Sequence, residues 1–217
     1  MSESERVVCL GDSITEGLGD ERGLGWVGRL ALYLAGECPS KWHINNLGVA
    51  GDTSIDIKLR LMTECLPRYP VRLILSAGIN DTTSRVWPAE TGSKVDITYA
   101  RDIWRQILGV VKTNNIKTLV LGLTPVNEAL LPLSYMPYDE TDRGHHAHNT
   151  LIEKYEVMLG QEVKELGFPF LPLFQKLSCT GYAENLPDGI HPNAKGYDIL
   201  FKAVKEKIED ISFFLRP

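Results

Sequence analysis

Five residues of this 217-residue chain carry groups useful to chemistry and stand where the sequence signals a turn: Ser13, Gly51, Asn80, Asp188 and His191. A serine hydroxyl is a weak nucleophile until a base takes its proton, and histidine is the usual base near neutral pH. His191 shares a short turn with a carboxylate, in Asp188-Gly-Ile-His191-Pro. One tight turn lets Asp188 reach Nδ1 of the imidazole and leaves Nε2 free to face Ser13. The chemistry of such a set is acyl transfer. Its tetrahedral intermediate needs donors aimed at an oxyanion, and three are available: the backbone N–H of Ser13, that of Gly51, which has no Cβ to block close approach, and the Asn80 side-chain amide.

These groups must be delivered by strands and helices. Residues 7–10, Val-Val-Cys-Leu, read as a buried strand that runs without a spacer into Gly11-Asp12-Ser13. Ligands sit at the carboxyl ends of parallel strands, so this is where a crevice is expected. Val27, Leu30, Ala31 and Leu34 repeat at helical spacing up to Gly36, and a strand follows at 43–47. Gly48-Val-Ala-Gly51-Asp-Thr-Ser then leads into a helix whose apolar positions are Ile55, Leu59, Met62 and Leu66, with Thr53 and Asp56 placed to cap it. The near-continuous apolar run 71–77 reads as a strand covered on both faces and ends in Gly78-Ile-Asn80-Asp81.

Helical spacing returns in Ala100, Ile103, Trp104, Ile107 and Val111, then a strand at 118–123, then a helix with Ile152, Tyr155, Leu159, Val163 and Leu166. Residues 168–173 form a fifth strand that Pro169 and Pro172 mark as an edge. Tyr197, Leu200, Phe201, Val204, Ile208 and Ile211 share one face of the last helix. Strands and helices alternate throughout, which predicts an α/β fold: one three-layer α/β/α domain over residues 1–217, with a parallel sheet between helices.

Lys and Arg number 23 against 28 Asp and Glu, a net charge of −5 with no long basic run. That argues against a nucleic-acid or anionic-membrane surface and for a small-molecule partner. Cys9, Cys38, Cys65 and Cys179 are scattered, as expected of reduced, buried thiols in a cytoplasmic protein. The acidic start does not resemble a signal peptide, and no apolar run approaches the roughly 20 residues that span a bilayer.

Two connections are long, 82–98 and 124–145. The second is apolar from 126 to 138, and Val126, Leu130, Tyr135 and Met136 are its candidate pocket residues, either as a pocket wall or lid or as a loop packed on the domain. His145, His146 and His148 read as a solvated helix start rather than a metal site, because no carboxylate or cysteine completes the set. Alone, Ser13 would be read as a helix cap and Asn80-Asp81 as a turn pair.

Together, Gly11-Asp12-Ser13-Ile14-Thr15, Gly51, Gly78-Ile79-Asn80-Asp81 and Asp188-Gly189-Ile190-His191-Pro192 resemble, in order, the four blocks of the SGNH hydrolase superfamily, the GDSL-like lipases and esterases. Ile14 stands where the family's short name has Leu. The resemblance implies a flavodoxin-like five-stranded sheet in the order 2-1-3-4-5, no metal and no cofactor. It also implies Ser13 as nucleophile, His191 as base, Asp188 as its orienting partner, and Gly51 and Asn80 as oxyanion donors with the Ser13 amide. The expected activity is hydrolysis of small to medium carboxylic esters through a Ser13 acyl-enzyme, lysolipids and thioesters included. Carbohydrate O-deacetylation and O-acyl transfer use the same blocks. A flavodoxin-like anion-binding module, which has no use for Asp188 and His191, is the non-enzymatic alternative.

Overall fold

The computed structural model describes residues 5–84, 93–131 and 146–214. Five parallel strands form one sheet in the order β2-β1-β3-β4-β5: β1 (Glu5–Gly11), β2 (Trp42–Gly48), β3 (Arg72–Ser76), β4 (Lys117–Leu121) and β5 (Phe170–Leu171). The resemblance implies this order, and the structure has it. Helices α1 (Ser13–Glu16), α2 (Gly25–Glu37), α3 (Ser54–Arg60), α4 (Ile79–Thr82), α5 (Ile97–Thr113), α6 (Asn149–Glu165), α7 (Leu173–Leu177) and α8 (Ala194–Asp210) complete the fold. Of these, α2 packs with α8 in one layer, and α3, α5 and α6 pack in series in the other. None of the described helices is long and apolar enough to cross a membrane.

The register of the sheet builds the crevice. Gly11, the last residue of β1, pairs with Gly48 at the end of β2 and with Ser76 at the end of β3. Three strands therefore stop at one level, and the turns carrying Ser13, Gly51 and Asn80 leave side by side. Val7, Val8, Cys9 and Leu10 have no exposed surface, which makes β1 a rigid post under Ser13.

Two strands are shorter than their apolar runs. β4 ends at Leu121: Gly122 N–H still donates to Leu171 O at 2.8 Å, but the Leu123 amide is taken at 3.0 Å by Oε1 of the buried Glu156 of α6, which also accepts from Phe174 N–H, beyond β5, at 2.9 Å. β5 keeps two residues. Pro169 still accepts from Val120 N–H at 3.1 Å but has no N–H of its own, and Pro172 closes the other side.

The face of α3 differs from expectation. Ile55, Leu59 and Met62 are 42, 63 and 50 % exposed, while Ile57, Leu61 and Cys65 are fully buried. Both sets have helical spacing, so periodicity alone could not choose between them. The choice is made at the first turn, where Thr53 and Asp56 form a reciprocal capping box and the Ser54 amide donates to buried Asp81 at 2.8 Å. That pinning turns Ile57 inward, and a π turn at Leu61–Cys65 keeps Leu61 and Cys65 on the same side.

Cys9 and Cys65 are buried as expected, whereas Cys38 is half-buried and Cys179 exposed. The two long connections meet at their stems: Ser84 and His146 exchange backbone hydrogen bonds of 3.0 and 2.9 Å. His146 is thus buried, not part of a solvated helix start. His148 occupies the N-cap position of α6, and its Nδ1 lies 3.3 Å from Glu128, a carboxylate 20 residues away in sequence. His145 lies outside the described residues.

Candidate active site

Asp12 and Ser13 begin the turn after β1. Asp12 caps α1 through Oδ1, which accepts from Ile14 N–H at 3.0 Å, and Ser13 is the first helical residue. A first-turn amide has no acceptor within its own helix, so Ser13 N–H stays available beside its own hydroxyl. Both residues are buried at 2 and 4 % exposure.

His191 Nε2 lies 2.9 Å from Ser13 Oγ, and its Nδ1 lies 2.6 Å from Asp188 Oδ2. The other Asp188 oxygen accepts from the backbone amides of Ile190 at 2.9 Å and His191 at 2.7 Å, so the carboxylate shapes the turn that presents the imidazole. Burial raises the Asp188 carboxyl, but hydrogen bonds from the His191 side chain and from the two amides outweigh it and hold it below the ordinary carboxylate range. As an anion it only accepts, so Nδ1 carries the proton and Nε2 is free to take one from Ser13.

The turn is anchored from two sides. Asn127 N–H donates to Gly189 O at 2.8 Å, and the start of α8 is held by Glu21, which accepts from Ala194 N–H at 2.8 Å, and by Arg29, which donates to Ala194 O at 2.9 Å.

Ser13, Gly51, Asn80 and His191 line one cavity of about 270 Å³, with Leu18, Ala50, Ile79, Thr83, Lys94 and Ile190. Gly51 has φ +85°, the left-handed region, and a Cβ built there would meet nothing within 4 Å. That backbone angle favours glycine here. The peptide before it is oriented by Glu16, whose Oε2 accepts from Ala50 N–H at 2.8 Å. The Asn80 amide donates one hydrogen to Asp52 O at 3.0 Å, which leaves its second hydrogen for a ligand.

Behind Asn80 lies a buried network that the local sequence does not reveal. Asp81 accepts from the Ser54 amide and from the Tyr155 hydroxyl, and Tyr155 accepts from Trp104 Nε1 at 2.8 Å. Gly78 makes room for it: its φ is +125°, and a Cβ would sit 2.6 Å from the Tyr155 ring. The only sequence signal was Asp81 beside Asn80, which also reads as a turn.

Of the candidate pocket residues, Val126 and Leu130 do not line the cavity. Val126 is 2 % exposed, and both its backbone groups bond to the Asn149 side chain, so it is core. Leu130 is 49 % exposed and stands over Gly189, outside the cavity. Tyr135 and Met136 lie outside the described residues.

Among the described residues no Lys or Arg pairs with the Asp12 carboxyl, and burial pushes its pKa up to about 7; Ile14 N–H and His191 counter this in part, while Asp52 and Asp81 add to it. Between about pH 4 and pH 7 the folded protein therefore holds a proton that the unfolded chain has lost, and stability falls as pH rises through that window. At about 1.4 kcal/mol per tenfold change, the cost reaches ~4 kcal/mol above neutrality. Asp12→Asn keeps the oxygen that caps Ile14 and removes the charge. Its melting temperature is expected to rise relative to wild type, by more at pH 8 than at pH 5. Thermal melts at both values check this, and a difference that does not widen with pH would give Asp12 an ordinary carboxylate.

A three-layer α/β domain with a Ser–His–Asp arrangement in a crevice at the strand ends defines a class, and comparison with known proteins supplies the family. The family model for the GDSL-like lipase/acylhydrolases matches residues 9–199. The chain belongs to that family and is an ester-hydrolysing enzyme. It is 24 % identical over 191 residues to the esterase TesA of Pseudomonas aeruginosa, covering 87 % of this chain and 80 % of that protein. Among solved structures, the lipase/acylhydrolase from Enterococcus faecalis superposes with a TM-score of 0.75 at 18 % identity, covering 95 % of this chain and 96 % of that one. The acetyl xylan esterase AlAXEase gives 0.72 at 18 % identity, over 93 % and 98 %.

Proposed function

We propose that this protein is a serine esterase that hydrolyses small to medium carboxylic esters in the cytoplasm through an acyl-enzyme on Ser13. One observation carries the reading: Ser13 Oγ stands 2.9 Å from His191 Nε2 while Asp188 engages the opposite ring nitrogen at 2.6 Å. Ser13 Oγ attacks the ester carbonyl carbon as its proton passes to Nε2. The oxyanion is met by the N–H groups of Ser13 and Gly51 and by the free Asn80 hydrogen, and the imidazolium by the Asp188 carboxylate. The intermediate collapses as the leaving alcohol takes the proton from Nε2. Water then attacks the acyl-enzyme by the same route, with its proton passing to Nε2 and from there to Ser13 Oγ as the acid departs.

A cavity of about 270 Å³ is at the small end of ligand sites, which favours short acyl groups over long chains. A fluorophosphonate probe is expected to label Ser13 stoichiometrically, and the labelling to be lost in His191→Ala. Peptide mapping of the adduct decides it. An inert Ser13 in the folded wild-type protein would leave only an anion-binding role for the crevice.

A further inference from the structure

Of the residues that line the cavity among those described, Lys94 is the only permanently charged one. Its place is set by its neighbours. Lys94 N–H donates to Thr83 O at 2.9 Å, and the amide of buried Val95 donates to Asp81 O at 3.1 Å. The chain at 94–95 is thus fastened to the turn that carries Asn80, and Lys94 is delivered to the crevice while its side chain stays exposed.

The carboxylates around the crevice are committed elsewhere. Asp52 pairs with Arg60 at 2.6 Å, Asp81 is held by Ser54 and Tyr155, and Asp188 serves His191. Asp56 accepts from Thr53 through both its amide and its hydroxyl, at 2.9 and 2.6 Å. Burial raises the Asp56 carboxyl, but those bonds and the field of Lys94 outweigh it. The ammonium therefore acts at a distance on Asp56 and forms no ion pair among the described residues. A cation set by its backbone, without an ion pair among the described residues and facing a cavity in which Leu18, Ala50, Ile79 and Ile190 form apolar wall beside Ser13, Asn80, Thr83 and His191, is a receptor for negative charge.

We propose that Lys94 is a specificity-determining residue and that the substrate is an ester bearing a second, anionic group, a carboxylate or phosphate, which its ammonium binds. This rests on the esterase reading of the same cavity and narrows its substrate class.

Two pairs of related esters, one member anionic and one neutral, test it on the full chain at low salt: p-nitrophenyl hemiglutarate against p-nitrophenyl valerate, with the charge on the acyl side, and 3-acetoxybenzoate against its methyl ester, with the charge on the alcohol side. The readout is the ratio of kcat/KM for the anionic member to that for the neutral one. In at least one pair Lys94→Met is expected to lower the ratio by about five- to tenfold, and Lys94→Arg to retain it. The same ratio is read as binding in Ser13→Ala, by NMR titration with glutarate monomethyl ester and methyl valerate, so the answer does not depend on turnover. Hydrolysis of all four esters with ratios that Lys94→Met leaves within twofold overturns the Lys94 assignment and spares the esterase. A Lys94-dependent binding preference without hydrolysis of any of the four does the reverse.

Discussion

Replacing Asp188 by Asn is expected to lower kcat by about 10³- to 10⁴-fold while leaving the fold intact. The Asn carbonyl oxygen still accepts from the amides of Ile190 and His191, so the turn keeps its shape. Its NH₂ now faces Nδ1, where the carboxylate stood at 2.6 Å. Two donors cannot face each other, so the imidazole puts its proton on Nε2 and donates to Ser13 in place of accepting from it. A loss of 10⁴ corresponds to about 5.4 kcal/mol of transition-state stabilisation. Steady-state kinetics with p-nitrophenyl acetate, alongside a thermal melt, measure both parts. The Asp188 side chain is 32 % exposed, so water can substitute for some of what it does. A loss below tenfold would reduce the machinery to Ser13 and His191.

Asn80→Ala is expected to cost about 100- to 1000-fold in kcat with KM little changed, because an oxyanion donor acts on the transition state and not on the bound ester. The side chain also donates to Asp52 O at 3.0 Å, and losing that bond costs about 0.5–1.5 kcal/mol of stability. The melting temperature should therefore move slightly while turnover collapses. Asn80→Asp separates the roles further: it matches the shape, removes both N–H donors and places a negative charge beside the developing oxyanion, so it should be no better than Ala. Wild-type turnover in Asn80→Ala would remove Asn80 from the oxyanion site.

The reasons Gly51 and Asp81 matter are not written in the local sequence, although both residues stand in the polar turns at the strand ends. Gly51 needs its φ of +85°, a property of a folded loop that residue type only permits. Asp81 reads as half of a turn pair, yet it is buried and joins Ser54, Tyr155 and Trp104 from three helices. Lys94 carried no local signal, because one lysine in a polar stretch is ordinary until a sheet places it against a cavity. The α3 face shows the same limit from the packing side. Ile55-Leu59-Met62 and Ile57-Leu61-Cys65 are equally periodic, and only the capping box and the Ser54–Asp81 bond decide between them.

By itself the sequence determined the alternation of strands and helices, the polar turns at the strand ends and the residue types needed for acyl transfer, because periodicity and turn chemistry are local properties. Tertiary structure alone decided what faces what. The pairing of Gly11 with Gly48 and Ser76 aligns three strand ends 37 and 65 residues away in sequence, and packing of α8 brings His191 to Ser13 across a separation of 178 residues. Those distances are set by sheet register and helix packing, which depend on all the elements at once and are written in no single stretch of the chain.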